Sequence, residues 1–442
     1  MNVGILSNNR LRISGWGKYP SIMANLINYQ NRDDLMSKIH RIGQCITRGN
    51  GRSYGDSALS ETYVSCLQHN RILGFDENKG IIKCESGILL SEIIEIFTPR
   101  GWFLKVAPGT KLITVGGAIA SDVHGKNHHK DGCFSETVEN IALMLSSGDV
   151  VQCSHRKNRE LFLATCGGMG LTGIILEVSF SLKPISSKNI EQTTIKTRNL
   201  QETFDAFEEY ADDTYSVAWI DCLSKGKLIG RSLLMTGEFS QDRNLQYVPK
   251  KKITIPFNFP SLVLNYLAVK SFNALYYASA KPGVSHQIVD LDSFFFPLDS
   301  INSWNRVYGS HGFVQYQFIL PKNVSYEGLL KILKKISDKG FGSFLAVLKL
   351  YGKHNDNYLS FPMEGYSLAL DFKMQKGLLD FLKELDQIVL EYEGRFYLAK
   401  DARVSKKVFE SGYPKIEEFR ELRQSNKMKD KFSSLQSKRL GL

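Results

Sequence analysis

The run Arg48-Gly-Asn-Gly-Arg-Ser-Tyr-Gly-Asp56 is the first place where residue types and spacing point to chemistry. Gly49, Gly51 and Gly55 permit backbone conformations that side chains resist, so several N–H groups can turn toward one point as an anion nest. Arg52 and Ser53 add donors, and the natural guest is a pyrophosphate. The run has no Walker lysine and is not the GxGxxG of a Rossmann turn. A second segment, 108–129, carries Gly109, Gly116, Gly117, Ala118 and Ala120, small enough to let a flat or extended ligand lie against the backbone. It ends in a crowd of Asp122, His124, Lys126, Asn127, His128 and His129, whose spacing suits no metal: there is no helical i,i+4 pair with a supporting acid. A third run, GGMGLTGII at 167–175, again sets a tight turn before a strand start. Three such places in the first 175 residues suggest one extended ligand shared by them.

The elements that must position these loops follow from apolar periodicity. Helices are expected over 33–42, capped by Asp33, over 91–97, capped by Ser91, and over 160–165. Strands are expected over 44–48, delivering the first loop, and over 63–68, 81–84 and 174–182, with a hairpin of 141–145 and 150–153. After Lys183-Pro184 helices over 200–210, 326–339 and 377–391 alternate with strands over 215–222, 312–320, 343–351 and 366–372. The tail beyond Gly394 returns to polar, helical character. The fold class is therefore α+β, with two domains: one over 1–185 completed by 395–442, and an antiparallel-sheet domain over 186–394.

Composition narrows the partners. With 43% hydrophobic and 23% charged residues, the 442-residue chain is ordinary for a globular protein. A net charge of +11 suits nucleic acid, anionic lipid or a phosphate-bearing substrate. The absence of a basic stripe interleaved with aromatics argues against nucleic acid. Seven scattered cysteines without CxxC spacing read as free thiols in a reducing, cytoplasmic compartment rather than as disulfides or a zinc site. The first twenty residues lack an apolar core, which argues against a signal peptide. The most apolar stretch, 253–280, is broken by Pro256, Pro260 and Lys270. It is either a lipid-facing lid, with peripheral contact at the inner membrane face, or a core element of the second domain.

Taken with Pro108-Gly-Thr110, Thr114-Val-Gly-Gly-Ala118 and Gly170-Leu-Thr-Gly173, the first loop resembles the PCMH-type FAD-binding domain of the vanillyl-alcohol-oxidase superfamily. Within it, Ser121-Asp-Val-His-Gly-Lys-Asn-His-His129 resembles the decaprenylphosphoryl-β-D-ribose 2′-oxidase family. Further matches run through Val217-Ala-Trp-Ile-Asp221, Trp304-Asn-Arg306, Gly312-Phe-Val-Gln-Tyr-Gln-Phe318, Lys349-Leu-Tyr-Gly352, Tyr397-Leu-Ala-Lys-Asp-Ala-Arg403 and Tyr413-Pro414, so the resemblance spans nearly the whole chain. It implies an FAD cradle of Thr47, Arg48, Gly49, Asn50, Gly51, Arg52, Ser53, Tyr54, Gly55, Asp56 and Ser57. Gly109, Thr114, Val115, Gly116, Gly117, Ser121, Asp122, Val123, His124, Ile175 and Tyr397 are implied around the rest of the cofactor. Lys400, His124 and Tyr54 are implied in catalysis, with Lys400 the first candidate and His124 the second to take the hydroxyl proton or hold the developing negative charge. Tyr308, Gln315, Gln317, Lys349 and Lys400 are implied against the substrate.

The reaction implied is hydride transfer from a sugar secondary alcohol to flavin N5, with the 2′-hydroxyl of a polyprenyl-phospho-pentose as substrate in cell-envelope precursor synthesis. An NAD-dependent short-chain reductase is the implied partner that completes an epimerisation. Aligned on Gly49, Ser53 and Asp56, Arg52 stands where covalent members carry the histidine that bonds the flavin, which implies non-covalent FAD. The chain departs from the family pattern at Ala369, where a cysteine is usual, and over 252–280. The alternatives are an aldonolactone or alditol oxidase acting on a soluble sugar, and a catalytically silent flavin-fold binding protein.

Overall fold

The computed structural model describes residues 10–260 and 263–442, so the segment read for a signal peptide begins outside the described residues. Up to Pro184 the chain builds two sheets. Strands Arg10–Ser14, Ser21–Ile27, Thr62–Ser65 and Ile46–Arg48 lie side by side in that order. Thr62–Ser65 runs parallel to both of its neighbours. The second sheet centres on the long strand Ile174–Pro184, flanked by Ile81–Glu85 and Val138–Met144, with Ile72–Asp76 and Val150–Cys153 at its edges. The expected 141–145/150–153 hairpin is the Val138–Met144 and Val150–Cys153 pair.

From Asn189 onward the chain builds one eight-stranded antiparallel sheet. Its order is Val284–Asp290, Asn189–Thr197, Ser232–Phe239, Tyr215–Ile220, Ala346–Tyr351, Gly365–Lys373, Phe313–Pro321 and Arg395–Phe396. Side chains alternate across a strand. Val314, Tyr316 and Phe318 join one apolar cluster with helices Leu200–Glu209, Ser325–Lys339 and Leu378–Glu391. The alternate residues of the same strands, Gln315, Gln317, Lys349, Ser367, Ala369 and Asp371, share the opposite face.

Local chemistry moved several boundaries. The first helix runs Arg32–Arg41, and its cap is Asn31, not Asp33: the Asn31 side chain accepts the Asp34 N–H. The next runs Leu90–Phe97 with Ser91 inside its first turn, and Glu92 takes the Leu89 N–H at 2.7 Å instead. Strands Asn189–Thr197 and Ser232–Phe239 escaped the periodicity because polar residues such as Gln192 and Thr236 are buried along them. A short helix, Val115–Ala120, forms across Gly116 and Gly117 despite their low helix propensity. Thr114 caps it by accepting the Gly117 N–H at 3.1 Å, and Val115, Ala118 and Ile119 are buried beneath it.

The core alternative for 253–280 does not hold. Residues Tyr266–Ser279 form a helix in which only Val269 and Asn273 are buried. Among the described residues no helix is long and apolar enough to cross a membrane. The seven cysteines are free and buried. The tail, with helices Lys406–Gly412, Ile416–Ser425 and Leu435–Leu440, folds back on the first loop. There Arg439 binds both Asp56 and Asp401 at 2.8 Å.

Candidate active site

The first loop leaves strand Ile46–Arg48 and is built by its own side chains. Arg48 donates to the carbonyls of Ser14 (2.7 Å) and Ala58 (3.2 Å), and Asn50 donates to the Leu112 carbonyl at 2.8 Å, tying the loop to the second segment. Asp56 is held by Arg439. Gly51 sits at φ +62°, which favours glycine. Gly55 is required by close approach: a Cβ there would stand 1.9 Å from the Asp401 carbonyl oxygen. Arg48, Asn50 and Asp56 thus shape the cradle, while the buried Oγ1 of Thr47 and Nε of Arg52 on the same stretch have no hydrogen-bond partner. Arg52 stacks on the Trp16 ring at 4.1 Å.

The second segment behaves alike. Asp122 adopts φ +38° and its carboxylate accepts from the Ser135 N–H, Asn355, Asn357 and Ser360, at 2.6–3.1 Å. Val115, Val123 and Ile175 belong to one apolar cluster. The Tyr397 hydroxyl donates to the Ser121 carbonyl at 2.9 Å, and its ring lies 4.9 Å from His124. Asp299 grips the segment from the substrate side, accepting from Thr110 and from the Lys111 N–H.

The turn after strand Arg395–Phe396 brings these parts together. The Tyr397 N–H bonds the Gln317 carbonyl at 3.1 Å, and the Tyr54 N–H bonds the Ala399 carbonyl at 2.9 Å. Lys400 is thereby set on the Tyr54 ring, its Nζ 3.7 Å from the centroid. Register across the sheet pairs Gln315 with Asp371, Gln317 with Ala369, and Lys349 with Ser367. Gln315 donates to Asp371 at 2.5 Å, and the Tyr308 hydroxyl reaches its other oxygen at 3.5 Å. Gln317 donates to Nε2 of His124 at 3.4 Å, leaving Nδ1 buried and unpartnered.

Burial lowers the Lys400 pKa, Asp371 opposes that, and Lys349 reinforces it. Asp371 is raised by burial against the help of Gln315 and Lys400. Lys349 falls to about 8 and Lys126 to about 7, both chiefly by burial. His124 falls well below its usual value through burial and the charges of Lys349, His128 and Lys400, so it stays neutral. Burial and Asp371 hold the Tyr54 phenol protonated.

FAD fits this cradle on three structural grounds. Orphaned donors line both loops, Gly109 opens onto empty space where a Cβ would meet nothing within 4 Å, and Lys400 and His124 converge beside them. Thr47, Arg52 and the loop backbone suit the pyrophosphate, and Tyr397 and His124 suit the ring end. Among the described residues no group of three His, Cys, Asp or Glu could hold a metal.

The implied substrate residues Tyr308, Gln315, Gln317, Lys349 and Lys400 do converge on one sheet face. Two members of that site escaped the sequence reading. Asp371 was legible in the alternation Tyr366-Ser-Leu-Ala-Leu-Asp371, which turns Asp371 to the side of Gln315. Lys126 lay in the recognised segment, but its burial against Phe294, whose ring it approaches at 4.1 Å and whose carbonyl it binds, depends on residues far along the chain.

Comparison with known proteins agrees with this geometry. Residues 39–154 match a family described as FAD binding domain. The chain is 34% identical to decaprenylphosphoryl-beta-D-ribose oxidase of Mycolicibacterium smegmatis, over 98% of this chain and 97% of that one. An uncharacterised protein of Streptomyces coelicolor is 27% identical over 80% of this chain and all of its own. L-gulonolactone oxidase of Scyliorhinus torazame is 32% identical over only 33% of each chain.

Proposed function

The chain belongs to the decaprenylphosphoryl-β-D-ribose oxidase family and is an FAD-dependent oxidoreductase, and from that premise we propose that it oxidises the 2′-hydroxyl of a polyprenyl-phospho-pentose to a ketone. The observation that carries the substrate class is the buried lysine pair Lys126 and Lys349, set beside Lys400. Lys349 depresses the charge on both of the others, and among the described residues none of the three has an ion-pair partner. A buried, unneutralised positive field attracts a phosphate.

Bound in the cradle, FAD supplies the acceptor for the hydride leaving the sugar carbon. The chain's own residues handle the proton and the orientation. Lys400, desolvated and therefore readily neutral, accepts the hydroxyl proton. Asp371 and the Tyr54 ring then stabilise the ammonium that results. Neutral His124, fixed by Gln317, offers its Nδ1 side to the sugar oxygen. Lys349 and Lys126 hold the phosphate.

Arg52 cannot form the histidyl bond of covalent relatives, so FAD is held non-covalently. The change of sheet near residue 185 supports a cofactor domain of 1–185 and a substrate domain that starts at 186, but Arg395–Phe396 still pairs with Phe313–Pro321 in the substrate sheet, so the tail rejoins the cofactor domain after Phe396 rather than at 395. The ketone product is a substrate for an NAD-dependent short-chain reductase, which returns the opposite configuration. The lipid-linked substrate brings the protein to a membrane face, where buried free thiols suit the reducing cytoplasmic side.

The test is anaerobic addition of a polyprenyl-phospho-ribose to the FAD-loaded protein, against free alditols and aldonolactones. Bleaching by the phospho-lipid sugar alone is expected. Equal bleaching by alditols would make it a soluble-sugar oxidase, and a colourless protein that takes up no FAD would make it a silent fold. After acid precipitation the yellow colour is expected in the supernatant; colour in the pellet would contradict the non-covalent reading.

A further inference from the structure

The segment 243–289 differs from the rest of the molecule in what it exposes. The six most exposed large apolar side chains among the described residues are Val248, Ile253, Phe257, Leu267, Leu275 and Ile288, at 63–76%, and all lie within it. Among the described residues no large apolar side chain elsewhere exceeds 48%. The same 47 residues contain no Asp or Glu and six cations: Arg243, Lys250, Lys251, Lys252, Lys270 and Lys281. A monomeric surface seldom concentrates apolar area in this way unless something covers it. Lys250 is paired with Asp290 at 2.5 Å, but Lys251, Lys252, Lys270 and Lys281 have no ion-pair partner among the described residues, and leucine and aromatic side chains interleaved with such lysines form the pattern that meets a bilayer carrying negative headgroups.

The segment is anchored where a lipid-linked substrate needs it. Helix Tyr266–Ser279 turns Val269 and Asn273 inward, and Asn273 donates to Asp221 at 2.9 Å. Tyr276 packs edge-on against Trp219 at 4.8 Å. Trp219 pairs with Val347, Val347 with Ala369, and Ala369 with Gln317, one continuous row across the substrate face. Beneath the start of the helix lies a cavity of about 220 Å³. Leu264, Tyr266, Val269 and Phe344 line it together with Lys339 and Gln375, and Tyr308 and Asp371 of the candidate site line it too.

We propose that 243–289 is a docking surface for an anionic bilayer, and that the cavity under Tyr266–Ser279 leads the prenyl chain from the bilayer to the lysine-lined site. The purpose of this surface rests on the lipid-linked substrate proposed above; its existence is tested without that substrate. The occupant is a bilayer rather than a protein because the patch pairs aliphatic and aromatic bulk with a single sign of charge, and lysine stems can lie along apolar surface while their heads reach headgroups.

The experiment is co-sedimentation of the full FAD-loaded chain with vesicles of phosphatidylcholine alone, or mixed with phosphatidylglycerol. The expected result is sedimentation with the anionic vesicles and release by salt. The paired variants Leu267→Ser/Leu275→Ser and Lys251→Gln/Lys252→Gln should each weaken partition about tenfold or more. Both pairs are exposed, and neither touches the cofactor or the sugar site. The same variants should slow oxidation of a polyprenyl-phospho-ribose presented in anionic vesicles, while a short-chain analogue in solution is oxidised at the unaltered rate. Absence of vesicle binding, equal binding to neutral and anionic vesicles, or capture by a protein partner through these residues would overturn the docking surface. If vesicles bind but no phospho-lipid sugar reduces the flavin, the substrate reading fails and the docking surface stands.

Discussion

Arg439 and Lys400 lie on the same C-terminal tail, yet the protein treats their charges in opposite ways. Arg439 is neutralised twice, by Asp56 and Asp401 at 2.8 Å, and so fastens the tail to the first loop. Lys400 is buried without an ion-pair partner among the described residues, where Asp371 favours its charge and Lys349 opposes it. Pairing a buried charge makes it a structural bolt, whereas leaving it unpaired keeps it free for a substrate at a cost in stability. The difference marks which half of the tail holds the fold and which half the proposed mechanism uses.

The sharpest way to break this comparison is Lys400→Ala. Turnover should fall about a thousandfold with FAD still bound, as expected for loss of a proton acceptor, while urea stability stays level or rises. Near-normal turnover would remove Lys400 from the mechanism. Arg439→Met should show the reverse: loss of about 3 kcal/mol in denaturant unfolding, since two buried carboxylates lose their partner, with kcat of the folded fraction little changed. Asp371→Asn should come next, lowering kcat about tenfold to a hundredfold and moving the pH profile of kcat to lower pH. Without the carboxylate the ammonium form of Lys400 is less favoured, so its pKa drops further. An unmoved profile would leave Asp371 a purely structural acid.

The smallest effect is the pH dependence of substrate affinity. Lys349 titrates at about 8 in the free protein, and a phosphate prefers its charged form. Lys126 loses its charge from about pH 7, so affinity should be flat below about 7, begin to weaken above it and weaken further above about 8, until the higher pKa values of the bound complex are reached. Lys349→Met should lose the upper inflection. Titration of binding by flavin absorbance reads both.

The comparison also explains what the sequence could and could not tell. The first loop was legible because glycine spacing is a local requirement, and Lys400 because it sits in a recognisable motif. The strand alternation that places Asp371 beside Gln315 was equally present. The pairing of Arg439 with Asp56 was not, because it closes across 383 residues. For the same reason the sequence did not show what the side chains of Arg48, Asn50, Asp56 and Asp122 hold in the fold. Only folding reveals that their side chains engage Ser14, Leu112, Arg439 and Asn357. Apolar content marked 253–280, but amphipathic content does not say whether a segment will be covered; exposure of Leu267 and Leu275 does.

The claim that unpaired lysines exist to receive a phosphate is tested most directly by a two-by-two binding cycle. A polyprenyl-phospho-ribose and its phosphate-free analogue are each titrated into the FAD-loaded wild type and Lys349→Met. The account predicts a strong preference for the phosphate in the wild type that largely disappears in the variant, a coupling of about 1.5–3 kcal/mol. An equal preference in both proteins would contradict it.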